Sequence, residues 1–362
     1  MCGRGAVVVS PTPPMAAHGQ CFIAADVGGT NARIALVRAD DEGRIAILAY
    51  RRYPCGEYPS LTAILADFVA SNAAAAEGRE GAFERMAIAS AGVVLDEEVI
   101  NSNLPWRISL PELRGELRLR ELHVINDFTA AAHGSQCLDP ADSRLLTPGV
   151  ETAAPGPALV IGPGTGLGAA ICIPHPRGMV VLPTEAGMTA FAPGNAREIE
   201  ILRWMQQRSR HVSTEQLVSG PGLVNLYEAI CAIDDADPVL RAPAAINEAA
   251  RRGDAVARDA VLTFCALLGS VIGDLAVIGS ARCVFVAGGI VPQLTDFLAG
   301  SDFRTRLVDK GAMRAVLERV PVWLIENERL GVIGAASWYL QHLKDSQGGP
   351  AMHGQAGAAW QP

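Results

Sequence analysis

The sequence has no basic cluster. Lys310 and Lys344 are its two lysines among 30 basic residues, so the other 28 are arginines, and these are scattered along a chain of formal net charge −8. Nucleic-acid affinity comes chiefly from grouped Lys and Arg meeting phosphates, so the composition excludes a nucleic-acid partner and points to a small molecule. Eight cysteines (Cys2, Cys21, Cys55, Cys137, Cys172, Cys231, Cys265, Cys283) include no C-x-x-C pair and no metal-ligand spacing. They read as reduced core residues of a cytoplasmic protein, with neither a disulfide framework nor a structural zinc. Residues 1–20 lack a long apolar stretch followed by a cleavage site and carry prolines at 11, 13 and 14; they read as a loose leader, with Met15 an alternative start. The longest apolar window, Cys265 to Val291, is interrupted by Asp274 and Arg282. A buried helix ending at Ile278, followed by a buried strand Cys283 to Ala287, is expected there instead of a membrane span.

What the chain does have is two glycine-rich turns, Ala25-Asp26-Val27-Gly28-Gly29-Thr30-Asn31 and Gly162-Pro163-Gly164-Thr165-Gly166-Leu167-Gly168. Each lies between apolar, β-prone runs, which predicts strand, turn, strand. A P-loop or a dinucleotide fingerprint would lead from its glycines into a helix and would bring a Lys-Ser/Thr pair or an acid about 20 residues on; both are missing. Glycine lets a backbone approach a phosphate closely and turn its N–H groups toward the anion, and Thr30 and Thr165 add hydroxyl donors. One such hairpin alone is usually an ordinary tight turn. Two of them, a domain's length apart and the first with an acid, point to a nucleotide phosphate.

The chain is long enough for two domains with a sizeable core. Helical patterns run over Leu61 to Ala75, Ala196 to Arg208, Leu223 to Ile233 and Ala255 to Ile278, and Trp106 to Leu119 is partly helical. Strands are expected at Met86 to Ala89 and His123 to Ile125, the latter delivering Asn126 and Asp127 to the head of an alanine-rich helix. Asp139 to Pro157 reads as a linker, Val322 to Leu343 as strand, turn at Gly331 and helix, and the Gly/Ala/Gln tail as disordered. The pattern is a weak internal duplication: two α/β domains facing one another across a cleft.

Phosphoryl transfer needs phosphates held by backbone donors, a Mg²⁺ organised by a carboxylate, and a base for the attacking hydroxyl. Asp26 is the candidate for Mg²⁺, through water, because that ion dehydrates reluctantly. Asp127, at the end of an apolar strand, is the candidate base, although an Asp ahead of a helix also serves as an N-cap.

With Ile125-Asn126-Asp127-Phe128-Thr129-Ala130, Ser219-Gly220-Pro221-Gly222-Leu223-Val224-Asn225-Leu226-Tyr227 and Ala287-Gly288-Gly289-Ile290-Val291-Pro292 added to the two hairpins, the chain resembles the bacterial ATP-dependent glucokinase family from about residue 22 to 343. The resemblance implies a two-domain ribonuclease H-like (actin/hexokinase) fold: a small domain of 21–137 plus 328–345, a large one of 138–327, a leader of 1–20 and a tail of 346–362. It implies ATP and Mg²⁺ as cofactors, a hexose (glucose first) as partner, and a homodimer. Ala25 to Asn31, Gly164, Thr165, Gly166, Gly288 and Gly289 would hold the nucleotide. Asp127 would be the base, and Asn126, Asn103, Glu185 and Glu215 would bind the sugar, Glu215 being a residue that otherwise reads as an exposed helix acid. The family's Glu-Gly-Gly-His is Glu185-Ala186-Gly187-Met188 here, and a thioether cannot donate a normal hydrogen bond. The implied reaction is phosphorylation of the 6-hydroxyl of glucose; a kinase for another hexose and a sugar-binding regulator are the alternatives. Absence of a Cys-rich zinc motif separates the chain from the zinc-containing sugar kinases.

Overall fold

A computed structural model describes residues 19–347 except 41, 78, 80, 101–103, 151–154 and 177. Contacts divide the described chain into two compact units, one of residues 19–125 with 332–347 and one of residues 126–331.

The first unit opens with an antiparallel meander of β1 (Gln20–Val27), β2 (Asn31–Ala39) and β3 (Ile45–Pro54). Helix α1 (Leu61–Ser71), capped by Ser60 through the Ala63 N–H, then carries the chain to β4 (Arg85–Ser90), parallel to β1. A small antiparallel sheet of β5 (Val93–Leu95), β6 (Glu98–Ile100) and β7 (Ile108–Ser109) precedes α2 (Leu110–Glu116) and β8 (Glu121–Asn126). The main sheet has the order β3-β2-β1-β4-β8.

The second unit starts with α3 (Asp127–Ser135) and β9 (Ser143–Thr147). Another antiparallel meander follows, β10 (Ala158–Pro163), β11 (Leu167–His175) and β12 (Gly178–Thr184). Helices α4 (Ala196–Gln206), α5 (Gly220–Ile233), α6 (Pro243–Arg251) and α7 (Ala255–Ile278) lead to β13 (Cys283–Val286), parallel to β10. The short α8 (Thr295–Leu298), α9 (Phe303–Val308) and α10 (Arg314–Leu317) lead to β14 (Val322–Ile325), parallel to β13. Its sheet order, β12-β11-β10-β13-β14-β9, repeats that of the first unit over five strands. A meander whose first strand takes a parallel partner reached through a helical connection is therefore built twice, and the duplication of pattern is a duplication of topology.

Helix α11 (Leu330–Gln347) is the last described element, and from Val332 it belongs to the first unit. The buried Tyr339 explains why: its ring lies 4.6 Å from that of Phe22 on β1, and its hydroxyl donates to Glu121 of β8 at 2.5 Å.

Three segments differ from the sequence expectation. Asp139 to Pro157 is not merely a linker, since β9 within it pairs antiparallel with β14 as the sheet's edge; a five-residue strand with a mixed burial pattern has too little alternation to read. Gly331 lies inside the first turn of α11 instead of in a turn before it. Helix α5 begins at Gly220, ahead of Leu223, because Ser219 caps it through the Gly222 N–H and Pro221 occupies the first turn, where its missing N–H costs nothing. The division into units falls ahead of α3, which lies along β10, β11 and β12.

The long apolar helix is a core element. Among the described residues α7 alone has the length and apolarity to cross a membrane, and most of its apolar window is buried in the fold. A Cβ at Gly269 would lie 2.1 Å from the Phe303 carbonyl oxygen and one at Gly273 2.3 Å from that of Leu307, so these two glycines let α9 pack directly on the backbone of α7. Asp274, which interrupts the apolar run, pairs with Lys310 at 2.8 Å. The seven described cysteines are buried, and none of them is in a disulfide.

One charge is fully interred. Glu198 of α4, 1% exposed, receives the Arg306 guanidinium of α9 through two contacts of 2.5 and 3.0 Å, together with the Gly194 N–H and the Asn195 side-chain amide. A Cβ at Gly194 would meet that guanidinium at 2.3 Å, so a larger residue there would have to displace the Arg306 head. Removing one partner of a buried pair leaves an uncompensated charge. Arg306→Met is expected to cost about 3 to 5 kcal/mol, measured by urea unfolding; a loss below about 1 kcal/mol would mean that the pair acts as an ordinary surface one.

Candidate functional site

The first glycine turn joins β1 to β2. Its Gly28 N–H donates to the Asn31 carbonyl at 3.0 Å, while the Thr30 carbonyl accepts from the Cys55 N–H at 2.9 Å and the Gly28 carbonyl from the Cys55 thiol at 3.3 Å. Arg52 Nε donates to Asn31 Oδ1 at 2.9 Å. The carbonyls are thus tied back to buried Cys55, and among the described residues the N–H groups of Gly29 and Thr30 meet no acceptor. Ala25 and Val27 are buried in β1 and serve as its support. Asp26, between them, is paired across to Arg33, whose Nη1 lies 3.3 Å from Oδ2. Burial raises the Asp26 carboxyl above its ordinary value and the Arg33 charge works against that rise.

The second turn joins β10 to β11 and is built on the same plan. Gly164 N–H donates to the Gly166 carbonyl at 2.7 Å, and the Gly164 carbonyl accepts the Gly220 N–H from the head of α5 at 2.8 Å. The N–H groups of Thr165 and Gly166 meet no acceptor among the described residues. Gly288, at φ +92°, brings the end of β13 against this hairpin: a Cβ there would sit 2.7 Å from the Pro163 carbonyl oxygen. Gly289 follows it, its carbonyl held by the Gln293 side chain at 3.0 Å.

Asn126 and Asp127 stand where β8 runs into α3. The cap of this helix is Asn126, whose Oδ1 accepts the N–H groups of Phe128 and Thr129 at 2.9 and 3.0 Å; Asp127 is the first residue inside it. Asp127 Oδ1 also receives the Phe128 N–H, at 2.9 Å. Phe128 then fixes the pair against the second hairpin. A Cβ on Gly168 would fall 2.0 Å from the Phe128 ring and one on Gly162 3.0 Å from it, so the ring occupies space that only glycine leaves.

Glu185 and Glu215 lie on two neighbouring segments laced together. Phe191 N–H donates to the Val212 carbonyl at 2.9 Å, Thr214 N–H to the Thr189 carbonyl at 2.8 Å, and Ala190 and Ser213 form an antiparallel bridge. Glu185 is exposed at the head of a 3₁₀ turn, Ala186–Met188. Glu215 is not an exposed helix acid: it sits half-buried in the 3₁₀ turn Thr214–Gln216, and its Oε2 accepts the Leu167 N–H of the second hairpin at 2.7 Å. Met188 is 48% exposed, so its side chain is no core residue, and His211 Nε2 lies 2.8 Å from its carbonyl oxygen, which makes the ring the donor.

Asn126, Asp127, Glu185, Glu215, Gly164 to Gly166, Gly288 and Gly289 therefore fall in one unit, and Ala25 to Asn31 in the other. Asn103 lies outside the described residues. Phe128, Gly187 and His211 touch the candidate residues and were not singled out from the sequence, although Phe128 stands in the Ile125–Ala130 motif and Gly187 in Glu185-Ala186-Gly187-Met188. Among the described residues no group of three or more His, Cys, Asp or Glu forms a metal cage. Mg²⁺ asks for less, being held through one or two carboxylates, phosphates and retained waters. Asp26 fits that demand, because Oδ1 remains beyond its pairing with Arg33.

By fold the chain falls among the sugar kinases: a glucokinase from an Antarctic psychrotroph superposes with a TM-score of 0.76 at 31% identity, over 88% of this chain and 98% of that one. It belongs, within that class, to the glucokinase family, whose family model, Glucokinase, matches residues 23–342. A glucokinase-like protein of Xylella fastidiosa (strain Temecula1) is 42% identical over 91% of this chain and 98% of its own length. A glucokinase of Chromohalobacter salexigens is 39% identical over 86% and 94%.

His133 of α3 is buried (4% exposed), and desolvation lowers its pKa from 6.5 to about 4. The unfolded chain then binds the extra proton between those two values, so the stability tied to neutral His133 is whole above about pH 6.5 and is lost as pH falls toward 4. The loss amounts to about 3 kcal/mol. Melting temperature is expected to fall from pH 7.5 to 4.5, and to fall less in His133→Gln; equal falls would remove His133 as the cause.

Proposed function

We propose that this glucokinase-family chain phosphorylates a hexose at the 6-hydroxyl with ATP, glucose being the first substrate. The carrying observation is the Phe128 ring seated on Gly162 and Gly168, which holds the head of α3, whose first residue is Asp127, against the strands of the second glycine hairpin and so supports this reading. In this reading the unmet N–H groups of both hairpins cradle phosphate oxygens. Asp127 takes the proton of the sugar hydroxyl as its oxygen bonds to the γ-phosphorus, and the bridging oxygen leaves on ADP with the electron pair. Asp26 would hold Mg²⁺, which screens phosphate charge when bound.

Glu185, Glu215, Asn126 through its Nδ2, and Asn103 are proposed to bind the sugar hydroxyls, since carboxylates and amides make several directed bonds to vicinal hydroxyls and reject analogues lacking one. The ribonuclease H-like (actin/hexokinase) arrangement with a cleft, and a cytoplasmic homodimer, belong to the same reading. The recurrence of one strand order in two units, each carrying a glycine hairpin, supports the former.

A kinase for another hexose is favoured by one specific observation: Met188, standing where the family's histidine is expected, exposes a side chain that cannot donate a hydrogen bond. ADP release across glucose, mannose, fructose, glucosamine and N-acetylated sugars, with and without Mg²⁺, separates the readings, and no release with any sugar would leave a sugar-binding regulator.

Asp127→Asn is expected to keep the fold and sugar binding while lowering kcat by about 10² or more; turnover near wild type would remove Asp127 from the mechanism. Met188→His is expected to lower KM for glucose by about tenfold to a hundredfold, the worth of one hydrogen bond. Its kcat should change less, because the contact is made equally in ground and transition states. An unchanged or higher KM in a well-folded variant would show that the preferred sugar does not present the hydroxyl that a histidine reads.

A further inference from the structure

Two backbone segments meet on one oxygen atom. Glu215 Oε2 accepts the Leu167 N–H at 2.7 Å; it would lie 2.5 Å from a Cβ on Gly166 and 3.2 Å from one on Gly187. Gly166 belongs to the tip of the second hairpin and Gly187 to the turn that follows Glu185. Neither glycine has a positive φ, so backbone conformation does not require glycine at either place. At 187 room does, since a Cβ would sit 2.5 Å from the Leu167 carbonyl oxygen, while a Cβ at 166 would push the Glu215 carboxylate out of its present place. The glycines and the acid form one fitted unit.

A bond from a backbone N–H to a carboxylate is about twice as strong as one between neutral groups. This one holds the C-terminal side of the hairpin tip, as the Gly220 N–H holds the Gly164 carbonyl on the other side. We infer that Glu215 is a positioning residue for the second hairpin, bracing its tip against the Glu185–Met188 turn, so that nucleotide binding depends on this side chain even when no sugar is present. The inference rests on the proposed phosphate-cradling role of the hairpin and adds to Glu215 a function apart from sugar contact. The same link joins any shift of the sugar-side turn to the hairpin.

MgADP binding to the full chain by calorimetry without sugar tests it, on wild type, Glu215→Gln, Glu215→Ala and Gly166→Ala. The Gln side chain keeps an oxygen that can accept the Leu167 N–H, so Glu215→Gln is expected to bind within about threefold of wild type. Glu215→Ala loses the acceptor and Gly166→Ala displaces it, and each is expected to weaken binding about tenfold, the effect of one charge-assisted bond. Hydrogen exchange at the Leu167 amide should quicken in both alanine variants and stay slow in Glu215→Gln, which a general loss of stability would not reproduce. Wild-type affinity in a folded Glu215→Ala protein, with only the glucose KM raised, overturns the inference and assigns Glu215 to the sugar alone. A wild-type protein that binds no MgADP overturns the cradle reading itself, and the two failures are told apart by that wild-type measurement.

Discussion

The close approach of the Phe128 ring to Gly162 and Gly168 is the contact on which the site in residues 126–331 depends. It requires two glycines on adjacent, antiparallel strands, paired with one another across β10 and β11. A methyl group at position 168 would overlap the ring outright, so the strand pair and α3 cannot come together with any other residue there. Because Phe128 follows Asp127 directly, the same contact fixes the head of α3, where Asp127 is the first residue, against the two strands. An aromatic ring buries a large apolar area in few rotamers, which makes it a stiff spacer between helix and strands.

Around this contact the larger unit is organised by further places where missing side chains allow close approach. Gly166 and Gly187 admit the Glu215 carboxylate, Gly288 admits the Pro163 carbonyl, and Gly194 admits the Arg306 guanidinium. Gly269 and Gly273 do the same for α9 against α7. Interiors are packed at crystal density, so such positions behave as joints whose geometry is set by contact. Polar groups enter those joints fully partnered, as at Glu198, consistent with the cost of burying an unmatched charge.

The duplicated topology accounts for why the two hairpins look alike. Each connects the first two strands of a meander, each has a parallel strand on the far side of its first strand, and each leaves two N–H groups at its tip without an acceptor among the described residues. They are supported differently. The first is held from behind by Cys55 and Arg52, the second by Gly220 and Glu215. A shared backbone plan with separate supports allows each hairpin to be tuned independently.

Local pattern in the sequence determined the hairpins, the strand that leads to Asn126 and Asp127, and the apolar α7, because each is written in consecutive residues: glycines between β-prone runs, a short apolar run before a polar pair, a long apolar run broken by Asp274. Family resemblance, not pattern, singled out Glu185 and Glu215. Only tertiary structure decided that β9 is an edge strand, since its five residues become a strand by pairing with β14 some 180 positions away. It also decided that Asn126 caps α3, leaving Asp127 inside the helix, and that Glu215 faces the backbone of Leu167, 48 residues distant. Sequence periodicity reports which face of an element is apolar, whereas the partner of a single carboxylate depends on how distant segments pack, and that information lies in no local window.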